Sequence, residues 1–125
     1  MMIPRIPFEI IAVDFDGTLC KDNYPRIGYP NIELIEWLKL RQNSGSRIIL
    51  WTCRCGASLE DAVKWCAIKG LIFDAINDNI PGVVAAMNNS NSRKIFADIY
   101  IDDKGACDYL HGIKLELPYR GERDE

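Results

Sequence analysis

The sequence predicts an α/β protein with a parallel, Rossmann-like sheet between two layers of helices, a three-layer α/β/α sandwich. Short runs rich in aliphatic and β-branched residues alternate with segments of helical periodicity. The spacing between these runs is short, as in chains that build parallel sheets with crossover helices. The 125 residues, 48% hydrophobic and 26% charged, suit a single domain over residues 1–125.

The sequence of the first half of the chain predicts a strand, a loop, a helix and a second strand, in that order. Residues Phe8–Val13 are mostly apolar, as in a buried strand. The segment Cys20–Pro30 is rich in Asp, Asn, Pro and Gly and predicts a loop. Asn31 can cap a helix through IELIEWLKLRQ, and Arg47–Trp51 predicts a second buried strand. The inward face of that helix is expected to hold the apolar residues at helical spacing, Ile32, Ile35, Trp37 and Leu38.

The second half continues the alternation. Ser58 opens a predicted helix, SLEDAVKWCAIKG, which has acidic residues in its first turn and a glycine at its end. Residues Leu71–Ile76 and Asp98–Ile101 are the third and fourth predicted strands, with a short helix over Val83–Met87 between them. The tail from Gly112 alternates apolar residues, as in an edge strand.

Composition limits the classes of function. A net charge of −3 does not favour a dedicated nucleic-acid binder, which usually has a basic face. We expect a cytoplasmic protein, because no signal peptide or membrane-spanning stretch is visible and an odd number of cysteines indicates reduced thiols. Cys53 and Cys55 form a C-x-C pair, but no second pair or histidine cluster completes a zinc site.

Polar residues of chemical interest follow three of the four predicted strands. In an open parallel sheet the ligand crevice lies beyond the carboxyl ends of the strands, so we expect these side chains to converge there. They are Asp14 and Asp16, Thr52 and Arg54, and Asp102 and Asp103, with Lys94 shortly before the fourth strand.

Carboxylates gathered in one crevice repel one another unless a cation neutralises them. Mg²⁺ takes oxygen ligands, keeps several waters and commonly bridges to a phosphate, so it is the cofactor we expect. Its expected ligands are the four acidic residues, Asp14, Asp16, Asp102 and Asp103.

These residue types favour phosphoryl chemistry. A carboxylate at Asp14 can attack phosphorus and form an aspartyl phosphate. Asp16 can protonate the leaving alcohol and then accept a proton from the attacking water. Thr52 and Lys94 would bind phosphate oxygens. Arg54 either clamps a phosphate or a second anionic group, or forms a surface salt bridge.

The motif Asp14-Phe15-Asp16-Gly17-Thr18-Leu19 resembles the first motif of the haloacid dehalogenase superfamily. Ile49–Thr52 resembles the second motif, Lys94 fits the third, and Ile99–Asp103 resembles the fourth, an acidic pair that holds magnesium. The four occur in the family's order. The resemblance implies a phosphatase in which the first aspartate of the first motif is the nucleophile and the second is the general acid/base.

The resemblance also implies a capless member. Neither Leu19–Arg47 nor Thr52–Lys94 has room for the cap domain that larger members insert there. An open site suits small-molecule phosphate esters. A nucleic-acid end also fits but is not indicated, and a partner subunit of an oligomer could act as cap. Tyr24, Arg26 and Tyr29, on the loop after the first motif, could touch substrate.

Several assignments stay open at this level. The same fold could serve a non-catalytic phosphate- or metal-binding regulatory module, or a phosphotransferase, whereas Asp16 disfavours dehalogenation because that chemistry needs no acid for an alkoxide. Either Asp102 or Asp103 could be the direct metal ligand. Arg93 competes with Lys94, which stands nearer the fourth strand.

Other polar and aromatic residues are expected to be structural. The stretch Asn77–Asn79 follows the third strand and is more typical of loop caps than of substrate contacts. Trp51 and Trp65 are expected in the core. His111 follows the last motif and is expected at the surface or in a structural role.

Overall fold

The computed structural model of the protein describes most of the chain, namely residues 6–86, 91, 94–102, 107–108 and 113–114. Its elements are, in chain order, β1 (Ile10–Val13), β2 (Cys20–Asn23), β3 (Arg26–Pro30), α1 (Ile32–Asn43), β4 (Arg47–Leu50), α2 (Gly56–Ile68), β5 (Ala75–Ile76), α3 (Pro81–Ala86), β6 (Ile99–Ile101), β7 (Cys107–Asp108) and β8 (Ile113–Lys114). None of the helices in this part of the chain has the length and apolar character needed to cross a bilayer.

Four strands form a parallel sheet in the order β5-β4-β1-β6. In this sheet Val13 of β1 stands opposite Leu50 of β4 on one side and Ile101 of β6 on the other. The residues that follow these three strands therefore leave the sheet side by side at its carboxyl edge. The predicted α/β class with a parallel sheet is confirmed at this level.

Side chains alternate along each strand, so both faces of the sheet carry apolar residues. Helices cover both of these faces. On one face, Ile11 and Val13 pack in a buried cluster with residues of α1 and α2. On the other, Ile10 and Ala12 pack against Val83 of α3 and the segment that precedes β6. The strands are buried on both sides, which is why their sequences are continuous apolar runs.

The start of α1 is fixed by Asn31, as predicted. Its Oδ1 atom accepts a hydrogen bond from the Leu34 N–H over 3.2 Å, and its Nδ2 atom donates to the carbonyl oxygen of Thr18 over 3.0 Å. The cap thus ties the helix to the loop that follows β1. The predicted inward face is wrong at Ile32, which is 53% exposed, because Leu34 occupies the buried position in this turn.

The loop predicted over Cys20–Pro30 is instead an antiparallel hairpin of β2 and β3. Most of its side chains are exposed or half-buried, so no apolar alternation marks the strands. The backbones approach closely at Gly28, where a Cβ atom would lie 2.2 Å from the carbonyl oxygen of Lys21. Main-chain pairing and this glycine, rather than a buried face, define the hairpin.

Smaller differences concern the ends of elements. Helix α2 begins at Gly56, ahead of Ser58. Only the last two residues of the predicted third strand pair with β4, and Ile72 before them is 59% exposed. In the tail, where an edge strand is predicted, β8 pairs antiparallel with β7 in a separate two-stranded sheet. Met87 and His111 lie outside the described residues.

Candidate active site

Asp14 and Asp102 lie beside each other where β1 and β6 end. The two strands are paired in parallel through Val13 and Ile101, and the Asp14 N–H donates to the carbonyl oxygen of Ile101 over 2.9 Å. Both side chains are half-buried. The Oδ1 atom of Asp14 accepts a hydrogen bond from the Phe15 N–H over 2.7 Å, which orients the carboxylate. The structure therefore brings these two predicted site residues to one edge.

Asp16 forms a two-pronged ion pair with Arg54. The Nε and Nη2 atoms of Arg54 donate to the Oδ2 and Oδ1 atoms of Asp16, each over 2.8 Å. This parallel arrangement is the strongest geometry of an arginine–carboxylate pair. The side chain of Arg54 is 1% exposed and that of Asp16 19%, so solvent reaches the pair from the carboxylate side.

The remaining donors of Arg54 bind main-chain carbonyls. Nη1 donates to Pro25 over 3.1 Å and to Ser58 over 3.2 Å, and Nη2 donates to Arg26 over 2.9 Å. All five guanidinium N–H groups are thereby used within the protein. In this arrangement Arg54, predicted as a phosphate ligand or a surface salt bridge, is a buried ion-pair residue with no donor left for phosphate.

Two aromatic rings enclose the same guanidinium. The Cζ atom of Arg54 lies 4.9 Å from the ring centre of Phe15 and 5.0 Å from that of Tyr24. Both distances fall within the range of cation–π contacts. The hydrogen bonds that Arg54 donates to Asp16 raise the pKa of Arg54 above its ordinary value, and burial opposes this rise without cancelling it.

Thr52 follows β4, next to the end of β1. Its N–H donates to the Oδ1 atom of Asn77 over 2.7 Å, and its Oγ1 atom accepts from the N–H of Arg54 over 3.1 Å. The hydroxyl hydrogen can still be donated to an anion. The structure places Thr52 at the carboxyl edge, as the sequence predicted.

Lys94 is exposed, and its segment is fastened to the loop after β5. The buried side chain of Asn79 donates from Nδ2 to the carbonyl oxygen of Lys94 over 3.4 Å and accepts at Oδ1 from the Phe96 N–H over 2.6 Å. Asn79 also donates to Asn91 over 2.9 Å. These bonds hold the segment near the carboxyl edge. Arg93, the competing residue, lies outside the described residues.

The stretch Asn77–Asn79 is predicted to supply loop caps. The Asp78 side chain does so by accepting from the Asn79 N–H over 2.8 Å, whereas the Asn79 side chain binds the segment before β6. Next to Asn79, hydrogen bonds from the Asn91 side chain and the Asn79 N–H lower the pKa of Asp78. The prediction that Trp51 belongs to the core is wrong. It is 47% exposed and its ring centre lies 5.6 Å from that of Tyr100.

Sequence reasoning missed the contribution of the hairpin to the site. The carbonyls of Pro25 and Arg26 accept hydrogen bonds from Arg54, although the sequence predicted this stretch as a loop with side chains available for substrate contacts. The available signal was Gly28, which permits the close approach of the two strands. Tyr24 and Tyr29 are exposed, 61% and 78%.

The four acidic residues predicted to bind magnesium do not form one group among the residues that the structure describes. Within the described residues, no group of three or more His, Cys, Asp or Glu side chains could hold a metal ion. Asp16 is paired with a guanidinium that would repel a cation, and Asp103 lies outside the described residues. Asp14 and Asp102 offer two hard oxygen donors, and one or two carboxylates with waters and a phosphate suffice for Mg²⁺. This pair fits the metal.

No family model and no curated protein matches the sequence. Among solved structures, a conserved protein from Bacteroides thetaiotaomicron is 43% identical and superposes with a TM-score of 0.68. The match covers 78% of this chain and 77% of that chain. Identity and coverage of this extent show that the chain belongs to the same family as this conserved Bacteroides thetaiotaomicron protein.

Proposed function

We propose that the chain is a magnesium-dependent phosphatase of the haloacid dehalogenase type, which hydrolyses phosphoric monoesters through an aspartyl phosphate at Asp14. The observation that carries the proposal is the adjacency of Asp14 and Asp102 at neighbouring strand ends. The proposal includes the finer fold assignment, a Rossmann-like three-layer sandwich. A parallel sheet with helices on both faces is consistent with it.

In the proposed reaction, a carboxylate oxygen of Asp14 attacks phosphorus while the ester P–O bond breaks. Asp16 gives its proton to the leaving alkoxide, so an alcohol departs. A water molecule then attacks the aspartyl phosphate and loses a proton to Asp16. Asp14 leaves as a carboxylate and inorganic phosphate is released.

The other site residues bind the phosphate and the metal. The hydroxyl of Thr52 and the ammonium of Lys94 supply a hydrogen bond and a positive charge for phosphate oxygens. The carboxylates of Asp14 and Asp102 would hold Mg²⁺, with Asp103 as the alternative to Asp102. When bound, the metal would neutralise phosphate charge and so permit an anionic nucleophile to approach.

The first experiment measures phosphate release from p-nitrophenyl phosphate with magnesium, comparing wild type with Asp14→Asn. We expect a loss of about 10³-fold or more, because the amide cannot form the covalent intermediate. Asp61→Asn makes the same change at an exposed position of α2 and should retain wild-type activity. Equal rates for wild type and Asp14→Asn would refute the proposal. Binding of a phosphate ester without turnover would favour a regulatory module instead.

The second experiment tests the metal. Chelation of magnesium should abolish release, and Asp102→Asn should raise the magnesium concentration for half-maximal activity about tenfold or more. The matched control is Asp98→Asn, at the opposite end of the same strand pair, where the Asp98 carboxylate accepts from the Ile10 N–H over 2.8 Å. It should leave the magnesium requirement unchanged. Full activity in a chelator would exclude a metal-dependent reaction.

A further inference from the structure

We infer that Arg54 is a positioning residue that aims the Asp16 carboxylate at the leaving group and holds the β2–β3 hairpin against the active-site edge. The inference rests on the proposed function, because it gives Arg54 a task in the same reaction. It replaces direct phosphate binding by Arg54 with an action through Asp16.

The geometry of the ion pair restricts Asp16. Two parallel hydrogen bonds fix the rotation of the carboxylate, which a single bond would leave free. Each carboxylate oxygen keeps a second lone pair, and the exposed side of Asp16 is where a substrate can approach. The ion pair therefore fixes the plane of the Asp16 carboxylate relative to the side from which a substrate approaches.

The same guanidinium joins parts of the chain that are far apart in sequence. Its bonds to Pro25 and Arg26 hold the turn of the hairpin, and the ring of Tyr24 covers it from outside. Its bond to Ser58 reaches the first turn of α2. Removal of Arg54 would leave these main-chain acceptors without their partner, so we expect the hairpin to loosen as Asp16 loses its orientation.

Lysine cannot replace this arrangement. An ammonium group keeps the charge but lacks the planar fork that binds two carboxylate oxygens and several carbonyls at once. It also lacks the flat surface that lies between the rings of Phe15 and Tyr24. The Arg54→Lys variant thus separates the charge of Arg54 from its geometry, while Arg54→Gln removes the charge.

The test compares two esters that differ in their need for a general acid. The aryl leaving group of p-nitrophenyl phosphate departs with little help, whereas an alkyl phosphate needs a proton on its leaving oxygen. We expect Arg54→Gln to lower kcat/KM for the alkyl ester about 10²-fold and for the aryl ester only a few-fold. Arg54→Lys should also lower kcat/KM more for the alkyl ester than for the aryl ester, but by a smaller factor. In an Asp16→Asn background, Arg54→Gln should add little to the difference between the two esters.

Arg41→Gln is the matched control, because Arg41 also pairs with a carboxylate, that of Glu9, and its Cζ atom lies 5.5 Å from the ring centre of Trp37. It should change neither ester's rate. Hydrogen exchange at the amides of Tyr24 and Arg26 gives a readout independent of turnover, and it should accelerate in both Arg54 variants.

An equal loss on both esters, or unchanged exchange in the hairpin, overturns the inference. Activity of the wild type that depends on Asp14 upholds the proposed function whatever the Arg54 variants do, so the two claims fail separately. If the wild type releases no phosphate, both the proposed function and the positioning of Asp16 for it are refuted. Hydrogen exchange at the hairpin amides then decides whether Arg54 holds the hairpin in place.

Discussion

The main-chain N–H of Thr52 donates a 2.7 Å hydrogen bond to the side-chain oxygen of Asn77. Asn77 follows β5 with a φ of 52°, in the left-handed region that asparagine adopts more readily than most residues. The bond joins the turns that follow two neighbouring strands. It thereby fixes the direction in which the chain carries Thr52 past the carboxyl edge.

Replacing Asn77 with Gly should weaken phosphate binding, because glycine keeps the backbone conformation but removes the acceptor for Thr52. We expect a higher KM for p-nitrophenyl phosphate and a free energy of unfolding lower by about 1 kcal/mol. Asn77→Asp retains an acceptor oxygen and should stay close to wild type in stability. Steady-state kinetics and urea denaturation measure both quantities. An Asn77→Gly variant with wild-type KM would show that this bond does not position Thr52.

Gly28 should be intolerant of any side chain. The Cβ atom of an alanine would lie 2.2 Å from the Lys21 carbonyl oxygen, which is main chain and cannot move aside cheaply. We expect Gly28→Ala to lower the free energy of unfolding by about 1–3 kcal/mol and to speed proteolysis within the hairpin. Gly82→Ala is the control, since nothing lies within 4 Å of its Cβ position and alanine favours a helix. Equal stability of the two variants would contradict the close approach.

The main sheet could be predicted because its physical signal is local. Strands β1, β4 and β6 are buried on both faces, so each is a continuous apolar run, and parallel pairing then dictates which ends meet. The cap of α1 is equally local, since Asn31 bonds within its own helix. By contrast, the hairpin has little buried apolar surface. Its main-chain hydrogen bonds hardly restrict which residue types occur, so the sequence carries little signal for it.

The sequence was enough to predict where the site lies, but not which of its side chains form ion pairs with one another. Strand ends indicated that Asp14 and Asp16 lie at one edge, yet two aspartates two residues apart carry the same chemical signal. Which of them meets a guanidinium depends on the direction of the chain after β1. Arg54 is 38 residues from Asp16, and only the folded structure shows that its side chain turns inward.

Stability should fall at alkaline pH because two thiols are buried. Burial raises the pKa of Cys20 from 9.0 to about 11 and that of Cys66 to about 12. The unfolded chain therefore loses these protons near pH 9 while the folded chain keeps them, so unfolding releases protons and becomes easier as pH rises between about 9 and 12. Each thiol contributes a slope of at most about 1.4 kcal/mol per pH unit, and its full stabilisation is present below pH 9. Urea denaturation across this range measures the slope, which should be smaller in Cys66→Ala than in wild type. Cys53→Ala, at an exposed thiol, should leave the slope unchanged, and a Cys66→Ala variant with the wild-type slope would show that this thiol does not ionise on unfolding.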